Sequence, residues 1–205
     1  WEDAALVEPF AIGSHCTGRG RVVEDDVVFI LGTGTIGSII LQTCKAKGCK
    51  TVICCDISDS SLERAKEYGA DYVINSKTQD VVAEIQKITD GHGCTVAFDS
   101  ACFPGSLTMC LQPGILCNAG RMVPMGFCTE KEGITQAMIN QRELDIIGSR
   151  MSQDAFEPTI ARMEKGEYIT EGIATTFIKF SEIDKVFHLM DHPDESAKKM
   201  VILFD

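Results

Sequence analysis

The sequence has no apolar run approaching the roughly 20 residues that a membrane-spanning helix takes. It has no cluster of basic residues, and 19 Lys and Arg stand against 30 Asp and Glu, for a net charge of −11. Phosphate backbones and anionic membrane surfaces are both held through Lys and Arg. Neither nucleic acid nor membrane is therefore expected as a partner. At the start of the chain, Glu2 and Asp3 stand where a secretory leader carries positive charge. Ten cysteines are present, but none form a C-x-x-C pair; Cys54 and Cys55 are adjacent, and most lie in apolar runs such as VICC and GILCN. That spacing supports neither a zinc site nor a disulfide framework. It predicts reduced thiols that behave as small core hydrophobes in a cytoplasmic protein. Internal repeats and low-complexity linkers are also lacking.

What is present reads as an ordinary globular composition, 44% hydrophobic and 24% charged over 205 residues. That length makes one large domain, or one domain with an appendage. Short β-rich runs alternate with helical patterns. Strands are expected at 27–31, 51–56, 72–76, 95–99, 121–127 and 144–149. Helices are expected between them, around 105–112 and over 133–140 among others, and again after the sixth strand in FEPTIARMEKG. Ser58 or Asp59 can cap one helix start, and Gly48 and Gly69 stop two helices. Strands apolar on both faces and separated by helices predict a parallel sheet covered on both sides. The fold class is thus α/β, a doubly wound six-stranded parallel sheet of Rossmann type. A seventh strand at 172–180, a capped helix in SEIDKVFHLMDHP and an eighth strand at 198–204 follow. That tail and residues 1–17 have no place in a six-stranded sheet.

After the first strand the chain reads Gly32-Thr-Gly34-Thr35-Ile36-Gly37. In such a loop the first glycine makes the tight turn, the second lets backbone approach a pyrophosphate, and the third lets helix and strand pack closely. The helix that follows offers unpaired N–H groups and a positive dipole end to an anion. Asp56 ends the second strand, 19 residues after Gly37, where a carboxylate can accept hydrogen bonds from adenosine ribose hydroxyls and would repel a 2′-phosphate. NAD(H) is the expected cofactor, in preference to NADP(H). Arg64 is expected to pair with Glu67 or face solvent. The bland alternatives are a glycine turn without a ligand and an acid that caps a helix. A methyltransferase also places an acid after its second strand, but its glycine spacing differs.

Taken together, AALVEPFAIG, GTGTIG, VICCD, ERAKEYGADYVIN and LDIIGSR resemble the zinc-containing medium-chain dehydrogenase family, from about residue 4 to the C-terminus. EPF, SACFPGSL, MGF and GSRM resemble most its sugar-acid and sorbitol members. The resemblance implies that this chain is the cofactor-binding half of an NAD- and zinc-dependent enzyme that oxidises a secondary alcohol of a polyol or sugar acid to a ketone. The zinc motifs of the family's catalytic domain do not occur in these 205 residues, so the chain by itself is expected to be inactive. The implied division is a leading helix at an interdomain cleft over 1–17, an NAD-binding domain over 18–170, and a segment over 171–205 that returns to the catalytic domain.

By the same resemblance, Ile36 packs beside the pyrophosphate and Ser61 lies where relatives have an arginine near the adenosine. Met125, Gly126 and Phe127, and then Ser149, Arg150 and Met151, line the nicotinamide, although core packing is the plain alternative for Met125 and Phe127. Glu8 corresponds to an acid that binds the catalytic zinc or its water. The local alternative has Pro9 opening a helix, with Glu8 stabilising its positive end. His15, two helical turns on, shares that face. A homo-oligomer is expected. A non-catalytic NAD-sensing or scaffold module remains the alternative function.

Overall fold

The computed structural model describes residues 3–192 and 199–204; residues 193–198, where the expected last helix and last strand each have an end, and the extreme termini lie outside them. A 3-10 turn, Asp3–Leu6, leads into α1, Val7–Arg19. The chain then alternates: β1 (Val27–Leu31), α2 (Thr35–Ala46), β2 (Thr51–Asp56), α3 (Asp59–Glu67), β3 (Tyr72–Asn75), α4 (Val81–Ile88) and β4 (Cys94–Asp99). It continues through α5 (Ser106–Cys110), β5 (Leu116–Pro124), α6 (Gln136–Asn140), β6 (Asp145–Ile146) and α7 (Phe156–Glu164). Six parallel strands form one sheet in the order β3-β2-β1-β4-β5-β6. The order reverses between β1 and β4, and the crevice at the carboxyl ends of those two strands is where such sheets bind ligands. No helix among the described residues is long and apolar enough to cross a membrane.

The central strands β1, β2 and β4 are apolar along nearly their whole length because both their faces are covered. Val28, Ile30, Val52, Cys54, Val96 and Phe98 point into one layer with Phe10 of α1, Ile39 to Leu41 of α2 and Ala65 of α3. The alternate residues Phe29, Leu31, Ile53, Cys55 and Ala97 point into the other, with Val81 and Ile85 of α4 and Cys110 of α5. The period of two along each strand thus sorts one sequence into two cores. Ser58 caps α3 through its side chain, and Gly48 and Gly69 follow their helices at φ +86° and +97°, a conformation that spares glycine the Cβ clash.

Several bounds differ from expectation. Strand β5 starts five residues before Arg121, with a register shift opposite Cys94 and Val96 and with Ala119 at φ +54°. Asn118 and Gly120 hide this strand from a propensity reading. The same strand ends at Pro124, so Gly126 and Phe127 belong to the loop beyond it. Strand β6 has two residues and leaves 148–149 in a loop. Pro9 does not open α1: Leu6 is its N-cap and Pro9 sits in the first turn, where no intrahelical donor is needed.

The leading helix also has a place in this body. Phe10, Ala11, Cys16 and Thr17 of α1 are fully buried, and Phe10 stacks on Tyr168 with ring centres 4.6 Å apart. At Gly13 a Cβ would come within 2.5 Å of Ile39 Cγ2, so glycine lets α1 lie close on α2. A division after residue 17 therefore falls inside a helix packed on the sheet. The tail is different: β7 (Thr176–Lys179) and β8 (Met200–Leu203) make a separate two-stranded parallel sheet, with α8 (Asp184–Asp191) between them.

Candidate functional site

The glycine loop lies at the reversal of strand order. Gly32 has φ +87°, and its N–H donates to Cys55 O at 2.7 Å, which anchors the turn to β2. A Cβ on Gly32 would lie 2.8 Å from Ala101 N, because the loops after β1 and β4 press together there. A Cβ on Gly37 would lie 1.9 Å from Gly32 O, so only glycine permits this approach of helix to strand. Gly34 contrasts with both. It is the N-cap of α2, and a Cβ there would meet nothing within 4 Å. The space in front of the helix N-terminus is open where Gly34, Thr35 and Ile36 expose backbone, and α2 is twelve residues long. Helix N-termini of this kind suit an anion with oxygen acceptors.

Asp56 closes the loop from the β2 side. Its Oδ2 accepts from Thr33 N at 2.7 Å and from Thr33 Oγ1 at 2.9 Å. Its Oδ1 accepts from Ile57 N at 2.7 Å and Ser58 N at 3.0 Å. The acid and the glycine loop, 23 residues apart in sequence, are thus one hydrogen-bonded unit. On the β4 side, the Ser100 hydroxyl donates to Gly32 O at 2.7 Å. Buried Asp99 accepts from Ala101 N and Cys102 N and, at 2.5 Å, from the Ser106 hydroxyl, which holds the loop after β4 in place.

One expectation on α3 changes, and Arg64, which also lines the open cavity beside Glu67, gains a second setting. Ser61 is buried, 4% exposed, in the first turn of the helix; its neighbour Ser60 lines the open cavity outside α3. The helical rotation of 100° per residue turns Ser61 inward and Ser60 outward. Arg64 is half-buried and lines a narrow space with Thr33, Gly34, Thr35 and Ser38, at the mouth of the loop. The strand-then-helix pattern carries no signal for that placement, because it depends on how α3 lies against β2 and β3.

The stretches after β5 and β6 come together. Met125 packs partly on the core and its N–H donates to Asp99 O at 2.9 Å, while Phe127 is 77% exposed. The Arg150 guanidinium sits over the Phe127 ring, 5.8 Å from its centre. The Ser149 hydroxyl is buried and lacks a hydrogen-bond partner among the described residues. Beside them a cavity of about 300 Å³ is lined by Asp99, Cys102, Pro124, Gly126, Cys128 and Glu132. A Cβ on Gly126 would fall 2.1 Å from Cys102 Sγ, which explains glycine there. Glu132 ties this loop to α5 by accepting from Thr108 N at 2.7 Å, Thr108 Oγ1 at 2.6 Å and Gly105 N at 3.2 Å.

Glu8 is exposed on the first turn of α1, and His15 is half-buried on the same helix. No group of three or more His, Cys, Asp or Glu side chains that could hold a metal occurs among the described residues. This chain's donor set does not fit a zinc ion by itself. The buried thiols are not candidates either: burial pushes Cys16, Cys55 and Cys94 up to about 12, so they stay protonated at neutral pH.

Sheet order, glycine loop and acid together define a Rossmann-type α/β domain. Residues 35–165 match the zinc-binding dehydrogenase family model, and the chain belongs to that family. It is 34% identical over 203 residues to the starvation-sensing protein RspB of Escherichia coli K12, covering 98% of this chain and 58% of that protein. To the sorbitol dehydrogenase of Bacillus subtilis 168 it is 29% identical over 203 residues, covering 98% and 57% respectively. A solved alcohol dehydrogenase from Escherichia coli CFT073, complexed with NADH, superposes with a TM-score of 0.88 at 31% identity over 99% of this chain and 59% of that one. The chain thus spans a little over half the length of the relatives it matches.

Proposed function

We propose that this chain is the NAD(H)-binding half of a zinc-dependent dehydrogenase that oxidises a secondary alcohol of a polyol or sugar acid. The observation that carries the reading is the open space in front of Gly34 at the N-terminus of α2, flanked by the carboxylate of Asp56. In this reading the pyrophosphate lies against Gly34, Thr35 and Ile36, with Gly32 and Gly37 shaping the turn, and the adenosine ribose lies toward Asp56. The nicotinamide lies against the loops that carry Met125, Gly126 and Phe127 and Ser149 and Arg150, which the Arg150 guanidinium over the Phe127 ring brings together. When bound, the nicotinamide supplies hydride chemistry. The protein's part is to orient it, through backbone groups and the Phe127–Arg150 stack, and to keep the anion at the helix end. Ser61, being buried, has no part in this arrangement.

A catalytic domain elsewhere in the whole protein would supply the zinc ligands, with Glu8 as this chain's one contribution. Residues 171–205 and the first turn of α1, where Glu8 is exposed, would face that domain, around a body that includes the rest of α1. Relatives named sorbitol dehydrogenase and (R,R)-butanediol dehydrogenase support a polyol-like substrate. The ten free cysteines support a reducing, cytoplasmic setting, and the open edge of β6 supports assembly with a second copy. The starvation-sensing name of one relative favours a second reading, an NAD-binding sensor without turnover.

The test is a fluorescence titration of the chain with NADH and NADPH in parallel. Tighter binding of NADH, weakened in Asp56→Ala, is expected. Equal affinity for both nucleotides would overturn the assignment of Asp56. Zinc-dependent oxidation of polyols by the whole protein would exclude the sensor.

A further inference from the structure

Asp56 accepts four hydrogen bonds, two on each carboxylate oxygen, which is the full acceptor capacity of the group. Three of the donors are backbone N–H groups of Thr33, Ile57 and Ser58, whose positions the chain holds. Thr33 is pinned on both sides, since its N–H donates to Asp56 and its carbonyl accepts from the Ser38 hydroxyl at 3.1 Å. The fourth donor, the buried Thr33 hydroxyl, is the only side-chain donor of the four, and a turn about one side-chain bond would release it without moving the backbone.

We propose that the Thr33 hydroxyl occupies the Asp56 acceptor that a ribose hydroxyl takes when NAD(H) binds, so that Thr33 sets cofactor affinity and nucleotide preference by competition. The inference rests on the NAD(H) reading above. A ribose hydroxyl arriving at Asp56 is a donor of the same kind and charge as the threonine hydroxyl. It can enter only when that hydroxyl turns away, because the backbone donors cannot move without opening the loop. Each binding event then exchanges one charge-assisted hydrogen bond for another, and the net gain is small. NADPH has a phosphate in place of the 2′-hydroxyl donor, and its charge repels the carboxylate and holds the remaining 3′-hydroxyl away, so NADPH gains little from the vacated acceptor.

Thr33→Val keeps the shape and removes the competitor. Titrations of the whole chain with NADH are expected to tighten on the order of ten-fold, the equivalent of one hydrogen bond to a charged group. NADPH affinity should stay where it was, so the NADH preference widens by the same factor. Thr33→Ser restores the hydroxyl and should return NADH affinity toward that of the unaltered chain. Thr33→Ala removes the same hydroxyl with less bulk, and serves if the valine variant fails to fold, as judged by urea denaturation. Unchanged or weaker NADH binding in the folded hydroxyl-free variant, with the unaltered chain still binding NADH, would overturn the competition alone. An unaltered chain that binds neither nucleotide would overturn the NAD(H) reading and this inference with it. Equal tightening for NADPH would show that the hydroxyl acts on the loop as a whole and would also overturn it.

Discussion

At the scale of single residues, three glycines in one loop do three different things. Gly37 is closed in by Gly32 O, and Gly34 faces open space. Gly37→Ala should therefore lose about 1–3 kcal/mol of stability, the usual cost of forcing bulk into a packed site. Gly34→Ala should lose less than about 1 kcal/mol, the difference between these residues as helix N-caps, yet bind NADH more weakly. Urea denaturation with NADH titration separates the two outcomes; a large stability loss at Gly34 would contradict the open geometry. The thiols divide in the same way. Cys128 is exposed, Cys102 and Cys117 are half-buried and the other seven are buried. A thiol reagent should label one cysteine quickly and seven only on unfolding, and Cys128→Ser should remove the fast phase. The loop glycines and Asp56 were legible in the sequence because their spacing is local. The placement of Arg64 at the loop mouth was not, because it depends on how α3 lies against the rest of the molecule, whereas Ser61 falls on the Leu62–Ala65 face that the helical period marks.

At the scale of elements, α1 tests where the body ends. Phe10 is fully buried against Tyr168, so Phe10→Ala should cost about 3–5 kcal/mol. A loss below about 1 kcal/mol, within the range of surface substitutions, would mean that α1 does not pack as described. The loop after β5 depends on Glu132. Burial raises the Glu132 carboxyl, but hydrogen bonds from the Thr108 hydroxyl and the backbone N–H groups of Thr108, Gly105 and Leu107 outweigh it and hold its pKa below the ordinary value. A depressed pKa in the folded state gives stability that is present above the unfolded pKa, about 4.3 for glutamate, and lost as pH falls through the lower folded value. The chain should exceed Glu132→Gln in urea midpoint at pH 7, and the gap should close as pH falls below about 4. A gap that does not change with pH would show that the carboxylate charge plays no part.

At the scale of the whole molecule, the tail leaves a large apolar surface in water. Phe177, Phe180, Phe187, Met190 and Phe204 are between 45% and 77% exposed, and Phe180 and Phe204 stack on each other with ring centres 4.9 Å apart. Patches of that kind mark contact surfaces. In dilute solution the isolated chain should bind an apolar dye and associate with rising concentration, as light scattering would report. Phe187→Asp with Phe204→Asp should reduce both; an unaltered scattering curve would place the association elsewhere, for instance at the β6 edge.

The sequence by itself determined the sheet, its two covered faces, the glycine loop with its acid, and the family. These follow from periodicity and from residues a few positions apart, which short-range sterics and hydrogen bonding control. Tertiary structure alone decided that Asp56 is tied to Thr33, that Phe127 and Arg150 meet, that Arg64 reaches the loop mouth and that α1 lies on α2. Each of these joins segments tens of residues apart or depends on the angle at which one element crosses another, and close packing of the whole core sets that angle.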